Sequence, residues 1–455
     1  MIGWDMRPKL WRSLQRNPAP IVFLFGLVFI LGLEWQLQPQ AIDGVYFQRW
    51  SSEDMMQTVS VVDLRAEPLA SLYYLHVQPP LLDAIRAALA QLWPTVDAQT
   101  LVVNVDRALY VVWAFVYVGL GALLCHWLSQ VINVRWGVVG AIGFLLHPAA
   151  IFYATFLEST LLFSFLIAWS YYALWKLAKR GGSIVPLAIS VVLLYLTRAL
   201  VQWPFLLLYV IVLWLLRVPW RKVAIFAAIV GAVMGLYTLK QMTLFGVTYT
   251  SSFAGLNCYH GLGDYLAGYP EVGEPLPPPA TVGVLTTPVK VLGVDNFNTM
   301  LYLKRHQTLL STCLPRWLNK PIGETLFAYF ANFVNYLRPS AQFTTPHVIA
   351  DQLPWRGLYN TLFSGGLLVL VVLLAVIWWL RHADRAQLRQ GFALLLPAAA
   401  ILVLSVGFEM GENMRYKFFL EPVLYVFLLA QLHSVWQAIR QGRRQAQPAV
   451  SGEQA

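Results

Sequence analysis

Basic residues collect in every second connection between ten long apolar runs of this chain, and that alternation restricts its fold more than any other feature. The runs have approximate limits 20–36, 108–131, 136–156, 158–176, 184–200, 202–217, 223–245, 361–380, 390–408 and 416–436. With the N-terminus in the cytoplasm, the inward connections carry Arg135; Lys176, Lys179 and Arg180; Arg217, Arg221 and Lys222; and Arg381, Arg385 and Arg389. Arg440, Arg443 and Arg444 follow the last run. Reversing the chain breaks the positive-inside rule at almost every turn. Only 12% of residues are charged, about half the ~25% of a soluble domain. The formal charge of +10 is then cytoplasmic loop basicity, and nucleic acid is not the expected partner. The expected class is an all-α polytopic membrane protein of about ten transmembrane helices, whose partner is the lipid bilayer.

The expected organisation is a basic cytoplasmic N-terminus (1–19), a membrane domain (20–436) and a basic cytoplasmic tail (437–455). Arg7, Lys9, Arg12 and Arg16 precede the apolar stretch Ile21–Leu33, as in a signal peptide. No small-residue cleavage site follows in GLEWQLQPQ, so a retained span is predicted. Two long segments, about 37–107 and 247–360, fall on the extracytoplasmic face. The proline-rich GYPEVGEPLPPPATVGVLTTP in the second predicts an exposed loop without a core. Cys125, Cys258 and Cys313 form no metal spacing and no disulfide framework, and pairing of Cys258 with Cys313 stays open.

The first of these segments contains YYLHVQPPLLDAI. Pro79 and Pro80 suit the first turn of a helix, where their missing donors cost nothing. Leu81, Leu82, Ile85, Ala88, Leu89 and Leu92 then recur at helical spacing, predicting an amphipathic helix with its apolar side on the membrane. Its N-terminus would suit a phosphate, with His76 just before it. Upstream, Ser51 or Ser52 can cap a helix beginning at Glu53 and Asp54, while Asp43 and Asp63 are competing acids. Further polar residues lie at outer span ends: Glu158, Arg198, Glu409, Glu412, Asn413, Arg415 and Lys417. Glu421, inside the last apolar run, needs Arg415 or Lys417 as partner.

The acidic SSEDMM after the first run, followed by LHVQPPLLDAI, resembles the first extracytoplasmic loop of polyprenyl-phosphate-dependent GT-C glycosyltransferases. That group includes the protein O-mannosyltransferase and aminoarabinose transferase families. LESTLLFSFLIAW, LLYLTRAL, SSFAGLN and the Arg-Tyr-containing ENMRYKFFLEP resemble later parts of the same family. The resemblance implies an inverting transfer of sugar from a polyprenyl-phosphate donor to a glycan, lipid or protein acceptor. It implies Asp54, or its rival Glu53, as general base, and His76, Arg198 and Arg415 as phosphate ligands. Gln78, Glu158, Asn257 and Tyr416 fall on motif positions that would contact substrate. Gln78 stands where one subgroup carries a cation, which would give His76 that part. A divalent cation is possible as cofactor, although the scattered acids make no cation loop and no metal ligand is assigned. The resemblance also implies a bacterial cytoplasmic (inner) membrane, with both termini cytoplasmic and the active site outside. Two alternatives remain: a transporter or flippase of a lipid-linked sugar, and an O-antigen-type polymerase or ligase.

Overall fold

The computed structural model describes residues 18–37, 51–261, 269–341, 353–408 and 413–446. Asp43, Glu409, Glu412 and the basic N-terminal residues lie outside them. Among the described residues the chain forms helices and a single isolated bridge, Val289 to Asp295. In chain order, α1 (Ala19–Leu37) precedes three short helices, α2 (Val61–Ala66), α3 (Pro68–Tyr73) and α4 (Leu81–Ala90). The bundle continues with α5 (Ala98–Val131), α6 (Val134–Leu145), α7 (Pro148–Thr155), α8 (Thr160–Arg180), α9 (Val185–Thr197), α10 (Trp203–Leu215) and α11 (Trp220–Phe245). Then come α12 (Ala254–Gly261), α13 (Gly283–Thr286), α14 (Met300–Asn319) and α15 (Ile322–Tyr336). The chain closes with α16 (Arg356–Leu362), α17 (Gly365–His382), α18 (Arg385–Phe408) and α19 (Asn413–Ala446).

Among the described residues six helices are long and apolar enough to cross a membrane: α5, α8, α11, α17, α18 and α19. The pair α6–α7, bent by 58°, would make a seventh, and α1, α9 and α10 are shorter apolar helices. The breaks have local causes. Pro148 opens α7 at its first position and His147 caps it, its Nδ1 accepting from Ala149 N. Between α9 and α10, Arg198 is extended (φ −143°, ψ 142°) and Pro204 starts the next helix. Each of these two helices has 13 residues, about 20 Å against a hydrocarbon core of about 30 Å.

The core of the bundle is aromatic, with Trp113, Tyr117, Phe144, Tyr153, Phe163 and Phe418 buried together. A Cβ on Gly121 would lie 2.8 Å from the Leu145 side chain, so glycine is what lets α6 close on α5. Pro422 leaves the carbonyl of Phe418 without its helical donor, and the Ser164 hydroxyl supplies one at 3.0 Å.

Outside the bundle, the two long connections fold into one lobe. Val59, Leu64, Leu75 and Val77 of the first share a core with Phe253, Val284, Leu285 and Leu303 of the second. Asn298 pins the seam: its Oδ1 accepts from His76 N and Val77 N, and its Nδ2 donates to Tyr74 O. Cys258 and Cys313 are disulfide-bonded and tie α12 to α14, a pairing that their spacing did not indicate. Three expectations are corrected here. The end of the proline-rich tract packs, because Val284 and Leu285 are buried against the first connection. Glu53 and Asp54 lie in a turn rather than at the head of a helix, and the helix starts later, with Ser60 capping Val62 N. Helix α4 is real, but its inward face carries Asp83 and Arg86 beside Leu82, while Leu92 is 63% exposed.

Candidate functional site

Two clusters of arginine and carboxylate lie along α5. In the first, Arg86 is fully buried and every arm is used. Its Nη2 meets Glu53 Oε2 at 2.7 Å and its Nη1 meets Asp83 Oδ1 at 2.6 Å. Nη1 also donates to Val59 O, and Nε to Ser52 Oγ. Glu53 accepts in addition from Val61 N at 3.1 Å and Val291 N at 3.4 Å. Gln78 Nε2 donates to Asp83 Oδ2 at 2.7 Å. Asp106 of α5 accepts from Ser52 N and from the Ser51 hydroxyl. Lys290 donates to the carbonyls of Met55 and Thr58, and burial lowers its ammonium to about 8.

These contacts revise three sequence expectations. Glu53 holds a guanidinium and two backbone amides, while Asp54 and its rival Asp63 keep access to solvent. Asp54 is half-buried, and its Oδ2 accepts from Ser51 N at 3.3 Å. Gln78 is turned onto Asp83 instead of a ligand, and Asp83 already complements the positive end of α4 where a phosphate was expected. His76 is fully buried in the lobe seam, with Nδ1 3.0 Å from Ser252 Oγ and its ring against Phe245. Burial, then His306, lowers its pKa to about 3, so the imidazole is neutral and offers a phosphate no charge.

The second cluster has a different balance. Glu158, between α7 and α8, meets Arg198 Nη2 at 2.8 Å and Arg415 Nη1 at 3.9 Å. Its other oxygen accepts from Thr160 N at 2.8 Å and from the Thr160 hydroxyl. Tyr416 lies under both guanidiniums, 5.7 Å from Arg198 and 5.6 Å from Arg415. Glu158, Arg198 and Arg415 each keep about 10% of their side-chain surface exposed here. Guanidiniums within reach of solvent can hold an anion.

The two clusters share a scaffold. Asp106 holds the Ser51–Ser52 turn, and two helical turns along α5 the indole of Trp113 donates to Glu158 O at 3.1 Å. Asp106 and Trp113 are seven residues, or about 10 Å, apart on this helix. The break carrying Arg198 also reaches the lobe, since Gln202 Nε2 donates to Thr250 Oγ1 at 2.5 Å. The structure thus brings Glu158, Arg198, Arg415 and Tyr416 together and puts Asp54 near the same helix. Asn257 is half-buried on α12 and shares no hydrogen bond with either cluster among the described residues. Glu421 takes Lys417, at 3.7 Å, and the Ser340 hydroxyl at 2.5 Å.

Sequence reading missed Arg86, Asp106, Asn298 and Lys290. The i, i+3 spacing of Asp83 and Arg86 was the one local signal available. Among the described residues no group of three or more His, Cys, Asp or Glu is arranged to hold a metal ion, so no step is assigned to one. No family model matches the chain, and no curated protein matches its sequence.

Proposed function

We propose that the chain is an integral membrane glycosyltransferase that uses a polyprenyl-phosphate sugar at the extracytoplasmic face. Convergence of Arg198 and Arg415 on Glu158, beside the lobe, is the observation that carries this reading. The two guanidiniums would hold the donor's phosphate, with Glu158 and Tyr416 fixing their positions. Asp54 takes the proton of the acceptor hydroxyl as its oxygen attacks the anomeric carbon. The bond from that carbon to the phosphate oxygen breaks, configuration inverts, and the departing negative charge falls to the arginines.

In this reading the ten apolar segments each cross a bacterial cytoplasmic membrane, with both termini inside. Basic residues on alternate connections support that orientation. The Cys258–Cys313 disulfide supports it too, since such bonds persist in oxidising compartments. A transporter or flippase of a lipid-linked sugar is the second reading, favoured by one observation. His147, Lys417 and Glu421 lie buried within the bundle, with His147 Nε2 3.9 Å from Glu421 Oε2, and intramembrane ionisable groups often mark transport paths.

The test uses purified protein in liposomes with labelled polyprenyl-phosphate sugars and candidate glycan, lipid and protein acceptors. Wild type should transfer sugar, and folded Asp54→Asn should lose about 10²–10⁴-fold. Undiminished transfer by folded Asp54→Asn removes the base assignment. Lipid-linked sugar crossing the bilayer without any transfer would favour the second reading.

A further inference from the structure

A long apolar groove of ≈ 880 Å³ is walled by parts of α5, α8, α15, α17, α18 and α19. Its size lies within the roughly 300–1,000 Å³ typical of small-molecule sites. Along α19 it extends from Lys417 to Ser434, seventeen residues or about 25 Å. One leaflet's hydrocarbon is about half of the ~30 Å core, so part of this length accommodates the chains of one lipid.

The two ends differ in charge. At the upper end, Lys417 is already committed: its Nζ donates to Arg338 O at 2.7 Å and Phe363 O at 2.6 Å, and pairs with Glu421. At the lower end the lining includes Lys179, His382, Gln387 and Gln390. Lys179 is exposed and makes no ion pair among the described residues. Arg180, Arg381, Arg385 and Arg389 flank these positions, and the buried Nε of Arg389 has no hydrogen-bond partner among the described residues. The nearby acid, Asp384, is engaged in capping α18, where its Oδ1 accepts from Gln387 N at 2.7 Å. Lys179 therefore lines the lower end of the groove, with four arginines close to lining residues in sequence and one carboxylate, already occupied, near it.

We propose that this groove binds an anionic phospholipid, its head group at the Lys179–His382 end and its acyl chains between α17, α18 and α19. In the orientation proposed above this is a lipid of the cytoplasmic leaflet, on the opposite side from the Arg198–Arg415 site. It is neither donor nor acceptor of the transfer. The charge pattern selects the head group, and the groove retains the chains.

The test titrates the delipidated full chain in neutral detergent with phosphatidylglycerol or with phosphatidylcholine of the same chains, and counts bound lipid by native mass spectrometry. Phosphatidylglycerol should bind more tightly, and Lys179→Gln should cost it about five-fold in affinity while leaving phosphatidylcholine unchanged. Ala430→Trp, which fills the groove, should weaken both lipids. Should that variant not fold, the wild type gives the same information. Trp127, Trp175, Trp378 and Trp379 line the groove, so phosphatidylglycerol with brominated chains should quench fluorescence saturably at low lipid ratio. Equal binding of the two lipids, an unaffected Lys179→Gln, or quenching strictly proportional to bulk lipid overturns the proposal. Sugar transfer is scored separately, so loss of this site leaves the enzymatic reading standing, and the reverse.

Discussion

The Arg86 and Arg198 clusters use the same residue types and do opposite things. Arg86 faces two carboxylates, and each polar atom around it meets a protein partner, so nothing there is left to bind. Arg198 and Arg415 share one carboxylate, at a break between short helices where the backbone is already irregular. A fully buried network in which each polar atom has a protein partner fixes a lobe. A site with two guanidiniums and about 10% of its side-chain surface open can exchange a partner. What separates scaffold from site is access, and residue identity does not reveal it.

The contrast is broken most severely at Arg86. Replacing it with methionine strands Glu53 and Asp83 in the interior, so thermal unfolding in detergent should show a loss of about 3–5 kcal/mol. A wild-type melt from Arg86→Met would abolish the distinction between the clusters. Arg198→Gln should do the converse, melting close to wild type while transfer falls about 10²–10³-fold, as measured by labelled-sugar incorporation. Breaking the Cys258–Cys313 bridge with a double serine substitution should lower lobe stability by about 2–4 kcal/mol, and reductant should no longer shift the melt.

The smallest effect concerns pH. His76 and His306 have pKa values lowered by burial to about 3 and about 4. The unfolded chain therefore binds more protons than the folded one between about 6.5 and those values. Their stabilisation is complete above about 6.5 and is lost as pH falls. Asp63, raised to about 6 by burial and then Glu53 and Glu67, acts in the opposite sense below its folded value. It is partly exposed, so solvent screening weakens its opposition to less than that of one histidine. Melting curves should show a net loss on the order of 1 kcal/mol between pH 6 and pH 5. His76→Asn should flatten that slope.

Much of the membrane body was legible because lipid imposes a rule on every residue in a run. The ten apolar segments coincide with α1, α5, the α6–α7 pair, and α8 to α11, then α17 to α19. Arg198 at a span end, and Glu158 and Arg415 at two others, were recognisable as polar groups without a reason to be in a bilayer. The lobe was much less legible. Amphipathic spacing after Pro80 suggested that Asp83 and Arg86 would face water, yet they face inward because Glu53, from thirty residues upstream, meets them there. His76 looked like a phosphate ligand because it stands just before the N-terminus of the helix at Pro79–Pro80, but Asn298 and Ser252 from the second connection enclose it.

Sequence alone determined the helical class, the membrane body and the candidate polar ends, since hydropathy and loop charge act locally and add along the chain. Tertiary structure decided which charges are enclosed by partners and which stay within reach of solvent. Electrostatic balance depends on partners a few ångströms away in space and tens or hundreds of residues away in sequence, and no spacing rule encodes that.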